Sequence, residues 1–229
     1  SKIFDEIVAF ANYAFNKAHA ASYAVVSYQT AYMKFHYPKE YMAALLTSVL
    51  DFTDKLAVYF DLCRDMNIRV LPPDINESLD TFTVSGDHIR FGLAAVRNVG
   101  RGFVRALTDE REENGPFRSL RDFCLRMNSK ELNRRALENL IKCGAFDETG
   151  ANRAQLLQVY DSVLSSISYT KSKTIEGQFD LFSLDAEPET PEYDNEIMPD
   201  LQEFPKKTIL EFERETLGIY LSGHPLDDH

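Results

Sequence analysis

The first apolar pattern along the chain has helical spacing. Ile3, Phe4, Ile7, Val8 and Ala11 recur at steps of three and four. The next block, "NKAHAASYAVVSYQTAYMKFHYP", has few acids and many Tyr and Ala, and predicts a largely buried helix ending before Pro38. Pro38 suits the first turn of the following helix, "KEYMAALLTSVL", where a missing N–H costs nothing. Thr53 is placed to cap a further helix, "DKLAVYFDLCRDMN". The double proline of "IRVLPPDINES" then forces extended chain. "TFTVSGDHIRF" predicts a short β-hairpin with Gly86 in its turn. Helices are predicted again over 102–113, 119–127, 129–143 and 151–167, with Ser119 and Ser129 as caps. From Tyr169 to about Pro205 no period is present, and a linker is expected. "TILEFERETLGIYLSGHP" resumes helical spacing at Ile209, Phe212, Thr216 and Leu217. The pattern predicts a mainly α fold: a helical N-terminal segment, a small β-hairpin, a helical domain, then an extended acidic linker.

Composition narrows the class. With 229 residues, 44% of them hydrophobic, the chain can bury one large or two small cores. No apolar run approaches the roughly 20 residues that span a bilayer, and no secretory signal opens the sequence. Cys63, Cys124 and Cys143 are odd in number and far apart, without zinc spacing. They are expected as core residues in a reducing, cytoplasmic compartment. The chain is expected to be a segment of something longer, because it starts within a helical pattern.

A net charge of −11 argues against nucleic acid until it is read locally. From Arg97 to Arg135, ten basic residues face six acids. From Asp185 to Glu203, eight acids stand without a Lys or Arg. Charge divided this unevenly leaves room for a phosphate-binding face.

Four stretches carry candidate chemistry. In "VRNVGRGFVRAL", a Gly-x-Gly turn stands directly before a helix. Gly100 and Gly102 allow close backbone approach, the helix start offers free N–H groups, and Arg101 and Arg105 add charge. This suits a helix-hairpin-helix gripping the DNA backbone without reading sequence. It suits equally a tight helix–helix turn that merely needs glycine. "LNRRALENLIKCGAFD" holds a second such candidate, with Arg134, Arg135 and Lys142 near Gly144. A Gly-terminated surface helix fits it as well. In "FNKAHAASYA", Lys17 and His19 could meet a triphosphate, or His19 could be a structural histidine. In "QFDLF", Leu181 and Phe182 could enter one apolar pocket on a partner, or fold back on the helical domain. No catalytic constellation is present. Asp51 with Asp54 and Asp227 with Asp228 read as capping or solvated acids, and there is no phosphate-cradling GxxxxGK[ST].

These pieces together resemble one family. The block from Phe10 to Ser48, then "RVLPPDINES", "GLAAVRNVG", "ELNRRALENLIKCGAFD" and "ERETLGIYLSGHP", are similar in order to family C replicative DNA polymerases of bacteria, the DNA polymerase III alpha subunits. The resemblance covers essentially the whole chain. It implies the end of the polymerase fingers over 1–70 and a β-hairpin plus tandem helix-hairpin-helix domain over 71–168. It further implies a linker with a sliding-clamp-binding motif over 169–205, and over 206–229 a lead-in to an OB-type domain not contained here. By the same resemblance, Asn16, Lys17 and His19 lie near the incoming nucleotide. Gly100, Arg101, Gly102, Arg105, Arg134, Arg135 and Lys142 belong to the DNA-binding unit. Gln178, Asp180, Leu181 and Phe182 form the clamp motif. Catalytic aspartates and Mg²⁺ belong to a palm domain outside this chain, so neither a catalytic residue nor a metal ligand is expected in it. Implied partners are the sliding clamp, duplex primer–template DNA, deoxynucleoside triphosphates and other replisome subunits, with no membrane. Two rivals stand beside this reading: a non-catalytic helix-hairpin-helix adaptor with a clamp peptide, and a plain helical scaffold. An adaptor has no need of the Phe10–Ser48 block.

Overall fold

The computed structural model describes residues 2–14, 17–50, 52–127, 132–175 and 198–223. Helices α1 (Lys2–Ala14), α2 (Lys17–His36), α3 (Pro38–Ser48) and α4 (Thr53–Asp65) lead into three short strands. β1 (Val70–Leu71), β2 (Thr83–Ser85) and β3 (His88–Arg90) form one sheet in the order β1-β3-β2. The expected hairpin is β2–β3, with Gly86 at a φ of +58 in its turn. The double-proline region adds what the pattern did not show: β1 pairs in parallel with β3, Val70 opposite Ile89. Helices α5 (Arg101–Asn114), α6 (Leu120–Arg126), α7 (Arg134–Lys142) and α8 (Arg153–Ile175) follow, and α9 (Lys206–Leu217) is the last.

One apolar core joins these elements. Met42, Leu46, Leu56 and Phe60 of α3 and α4 meet Phe82, Ile89 and Phe91 around the sheet. The same cluster continues through Leu107, Phe123, Leu137 and Phe146. Phe82 meets Phe91 edge-on at 4.8 Å, and Phe123 meets Phe146 edge-on at 5.0 Å. Such pairs add about 0.5–1.5 kcal/mol each beyond their burial. The turn at "PPDIN" stitches the sheet to the helices. The Asp74 carboxylate accepts from the N–H groups of Asn76 and Glu77 at 2.6 and 2.9 Å. Asn76 serves Phe117 like a backbone partner, accepting its N–H at 2.7 Å and donating to its carbonyl at 2.9 Å. The Ile75 N–H reaches the Ala145 carbonyl at 3.0 Å. Cys63, Cys124 and Cys143 are free thiols, all buried. Burial pushes the Cys63 thiol up to about 11 and the Cys143 thiol up to about 12. Both therefore stay protonated, and poor nucleophiles, at neutral pH.

Five local expectations are corrected. The helix expected to be largely buried, α2, has no buried residue, and Tyr28 and Phe35 are 70% and 80% exposed. Apolar composition predicts burial only where a facing surface exists, and among the described residues α2 packs chiefly on α3. Pro38 does open α3, but Thr53 is not a cap: it is the first residue of α4, and Phe52 holds the cap position. The Thr53 methyl instead packs against Gly218 at the end of α9. Ser119 caps α6 by accepting the Asp122 N–H at 3.1 Å. Ser129 lies outside the described residues, and Asn133 caps α7, accepting the Ala136 N–H at 2.8 Å. Helix α8 runs on to Ile175, past the expected end at 167. Nothing in "SYTKSKTI" breaks a helix, so α8 continues although the stretch has no apolar period.

The last correction concerns 198–205, expected as linker. This segment is pinned to the start of α8. Asn152 donates to the Leu201 carbonyl at 2.8 Å and Gln155 to that of Pro199 at 2.9 Å. The Glu203 carboxylate accepts the N–H groups of Arg153 and Ala154 at 2.9 and 3.3 Å. A carboxylate is favoured at a helix N-terminus, where N–H groups lack partners and the dipole is positive. The aperiodic pattern showed only that these residues form no helix or strand.

The tightest junction lies between α7 and α8. Gly144 has a φ of +84, so it already favours glycine. A Cβ there would lie 2.2 Å from Arg153 Nη2 and 2.7 Å from Asp147 Oδ2. The Arg153 guanidinium forks onto Asp147 at 2.7 and 3.1 Å and donates to the Lys142 carbonyl at 2.9 Å. Gly150 has a similar φ of +92, but a Cβ there would meet nothing within 4 Å. Gly150→Ala is therefore expected to cost about 1–2 kcal/mol of backbone strain. Gly144→Ala should cost more, about 3 kcal/mol, because it also displaces the buried Arg153 guanidinium from its partners. Urea unfolding of both variants, with unchanged m values, is the check.

Candidate nucleic-acid interface

The turn before α5 is built from "VRNVG". Asn98 adopts the left-handed region with a φ of +64. Asn tolerates this better than most residues, because its short polar side chain bonds locally. Gly100 sits at the N-cap of α5 in extended conformation, with no side chain capping the helix. A Cβ at Gly100 would meet nothing within 4 Å, so the space beside it is open. Behind the turn, Phe103, Val104 and Leu107 anchor α5 in the core. Gly100, Arg101, Gly102 and Arg105 are all exposed. Neither Arg101 nor Arg105 forms an ion pair with a described residue, and their i,i+4 spacing puts both on one face.

Two distant elements hold this turn. Asn139 of α7 donates from Nδ2 to the Arg97 carbonyl at 2.6 Å. The Arg97 N–H donates to the Thr216 carbonyl of α9 at 3.0 Å. Asn139 and Thr216 are buried, whereas the Arg97 side chain is on an exposed residue of the turn itself. None of these three was among the expected site residues. Arg97 lay in the basic run, but a lone Asn inside "LENL" and a Thr inside "RETL" give no local signal of a contact across the fold.

The other expected cations have different surroundings. Arg134 and Arg135 are exposed at the start of α7. Arg134 pairs with Asp161 of α8 and lies 5.7 Å from the Tyr160 ring. Lys142 is largely enclosed. Its ammonium meets Glu138 at 2.9 Å and Glu215 of α9 at 3.0 Å, and it lies over the Phe212 ring at 5.5 Å. The open charge of the site thus rests on Arg97, Arg101, Arg105 and Arg135, while the charge of Lys142 is balanced inside the fold.

Lys17 and His19 are exposed in the first turn of α2, with the His19 ring 4.4 Å from that of Tyr23. Asn16 and the whole "QFDLF" stretch, including Gln178, Asp180, Leu181 and Phe182, lie outside the described residues. Among the described residues no three His, Cys, Asp or Glu side chains converge as metal ligands. No described helix is long and apolar enough to cross a membrane.

Comparison with known proteins places this geometry. Residues 67–156 match the helix-hairpin-helix motif family. The sequence is 47% identical over 99% of the chain to a protein of Saccharopolyspora erythraea named DNA polymerase III subunit alpha. Proteins of the same name from Escherichia coli and Thermus aquaticus are 44% and 46% identical, over 100% and 99% of the chain. The chain spans 18–20% of the length of these relatives.

Proposed function

We propose that this chain, which belongs to the DNA polymerase III alpha family and corresponds to one segment of it, supplies the duplex grip of a replicative DNA-directed DNA polymerase. The observation that carries this reading is the Val96–Gly100 turn. It opens an uncapped helix beside Arg101 and Arg105, neither of which pairs with a described acid, and it lies within the helix-hairpin-helix match. Backbone N–H groups at such a helix start donate to a phosphate oxygen, and nearby guanidinium groups release counterions from the duplex. Neither contact reads a base, so the grip is independent of sequence. That suits an enzyme that must move along any template. Arg134 and Arg135 extend the same unit, and Lys142 supports it by tying α7 to α9.

The finer assignments rest on the family resemblance. Residues 1–70, with α1 to α4, form the end of the fingers, with Asn16, Lys17 and His19 near the incoming deoxynucleoside triphosphate. The apolar, exposed faces of α1 and α2 support this, since a free adaptor gains nothing from them. Gln178, Asp180, Leu181 and Phe182 dock on the sliding clamp. Residues 176–197 are tied at one end to α8 and at the other to the pinned 198–205 segment. Mg²⁺ serves phosphoryl transfer in the palm.

Three outcomes are expected. The chain should bind duplexes of unrelated sequence with similar affinity, falling steeply with salt. Arg101→Ala with Arg105→Ala should flatten the slope of log K against log salt by about 2, with melting unchanged. A wild-type chain that shows no salt slope would favour the plain scaffold. Changing Gln178, Leu181 and Phe182 together to Ala should abolish clamp binding in a pull-down and leave circular dichroism unaltered. A large loss of helicity would instead place those residues in the core. Finally, the purified 229-residue chain should show no template-directed incorporation in a primer-extension assay.

A further inference from the structure

We infer that Asn139 is the positioning residue of the duplex-gripping turn: its side-chain amide sets where the Val96–Gly100 backbone is held relative to α7. The inference rests on the reading of that turn as the DNA grip. Asn139 sits on α7, 8% exposed, and its short bond reaches the Arg97 carbonyl across 42 positions of sequence. The Arg97 N–H is held at the same time by Thr216 of α9. One peptide plane on either side of Arg97 is therefore clipped to each of two helices. The next residue, Asn98, is in the left-handed region, and Gly100 two positions later begins α5. Fixing Arg97 fixes the direction in which the first N–H groups of α5 are presented. Prepaid order of this kind raises affinity without adding a contact to the ligand. Asn139 touches no phosphate itself on this account.

The chemistry of the bond supplies a test. Only a donor satisfies the Arg97 carbonyl. An ionised Asp in place of Asn139 is acceptor-only and repels it, whereas a protonated Asp donates. Burial disfavours the ionised form of such a carboxyl, so lowering the pH restores the donor. Charged groups on the surrounding elements are common to variant and wild type: Arg97 on the turn, Glu138 and Lys142 on α7, Arg153 and Asp161 on α8, Glu213 and Glu215 on α9. The ratio of their affinities at each pH therefore isolates residue 139.

The experiment measures binding of the full chain to a fluorescent duplex between pH 5 and 8, for wild type, Asn139→Asp and Asn139→Ala. Leu56→Ala in α4 serves as a destabilised control. Asn139→Asp is expected to bind about tenfold more weakly than wild type at pH 8, with the gap closing towards pH 5. Its salt slope should match wild type, because no phosphate contact is lost. If Asn139→Asp matches wild type at every pH, the inference is overturned. Should that variant be unfolded, Asn139→Ala decides. Weakened binding by its folded form, with Leu56→Ala unaffected, supports a positioning role, and wild-type affinity refutes it. A wild-type chain without salt-dependent binding defeats the underlying reading instead, and is recognised before any variant is compared.

Discussion

The ion pair between Arg153 and Asp147, seated on Gly144, is the contact on which the rest of the helical domain depends. It closes α7 by donating to the Lys142 carbonyl, fixes the short turn at Asp147–Thr149, and starts α8 at the Arg153 backbone. Glu203 completes it from the other side by capping the same helix start. A buried guanidinium is tolerated only when its donors are satisfied, and here two carboxylate oxygens and one carbonyl do so. The glycine is obligatory for space as well as for backbone conformation, since any side chain would lie where the guanidinium lies.

From that junction the order passes to the site. Ala145, next to Gly144, accepts the Ile75 N–H and so locates the "PPDIN" turn and the sheet. α7 carries Asn139 to the Arg97 carbonyl, and α9, tied to α7 through Lys142 and Glu215, carries Thr216 to the Arg97 N–H. A flexible glycine turn would hold its N–H groups in many orientations. Anchored at Arg97, the same turn presents them in one. The exposed arginines beside it need no such anchoring, because charge acts over a Debye length of about 8–10 Å whatever the rotamer.

Much of the local structure was legible in the residues. Pro38 opening α3, Gly86 in the hairpin, Ser119 capping α6 and Gly144 ending α7 each follow from one residue's backbone preference. The errors have equally local causes. Tyr and Ala in α2 report a surface that packs, and cannot report whether the partner is in the same chain. An aperiodic stretch predicts no regular element, yet α8 continues through one such stretch and hydrogen bonds to the start of α8 pin the 198–205 segment. Thr53 lost its expected role because α4 starts at Thr53 itself, with Phe52 at the cap position.

The sequence by itself determined the kind of protein. The order of its blocks was sufficient for a mainly α segment of the family C polymerases, and the basic run from Arg97 to Arg135 with the Gly-x-Gly before α5 supports the proposed duplex grip. Such features are carried by single residues and their neighbours, so they survive without the fold. Which cations remain open was decided only by the tertiary structure. Lys142 and Arg105 are alike as letters, yet two carboxylates meet Lys142 and none of the described ones meets Arg105. The same holds for Asn139 and Thr216, whose bonds to Arg97 join positions far apart in the chain. A hydrogen bond is made by proximity in space, and only the packing of α7 and α9 behind the turn creates that proximity.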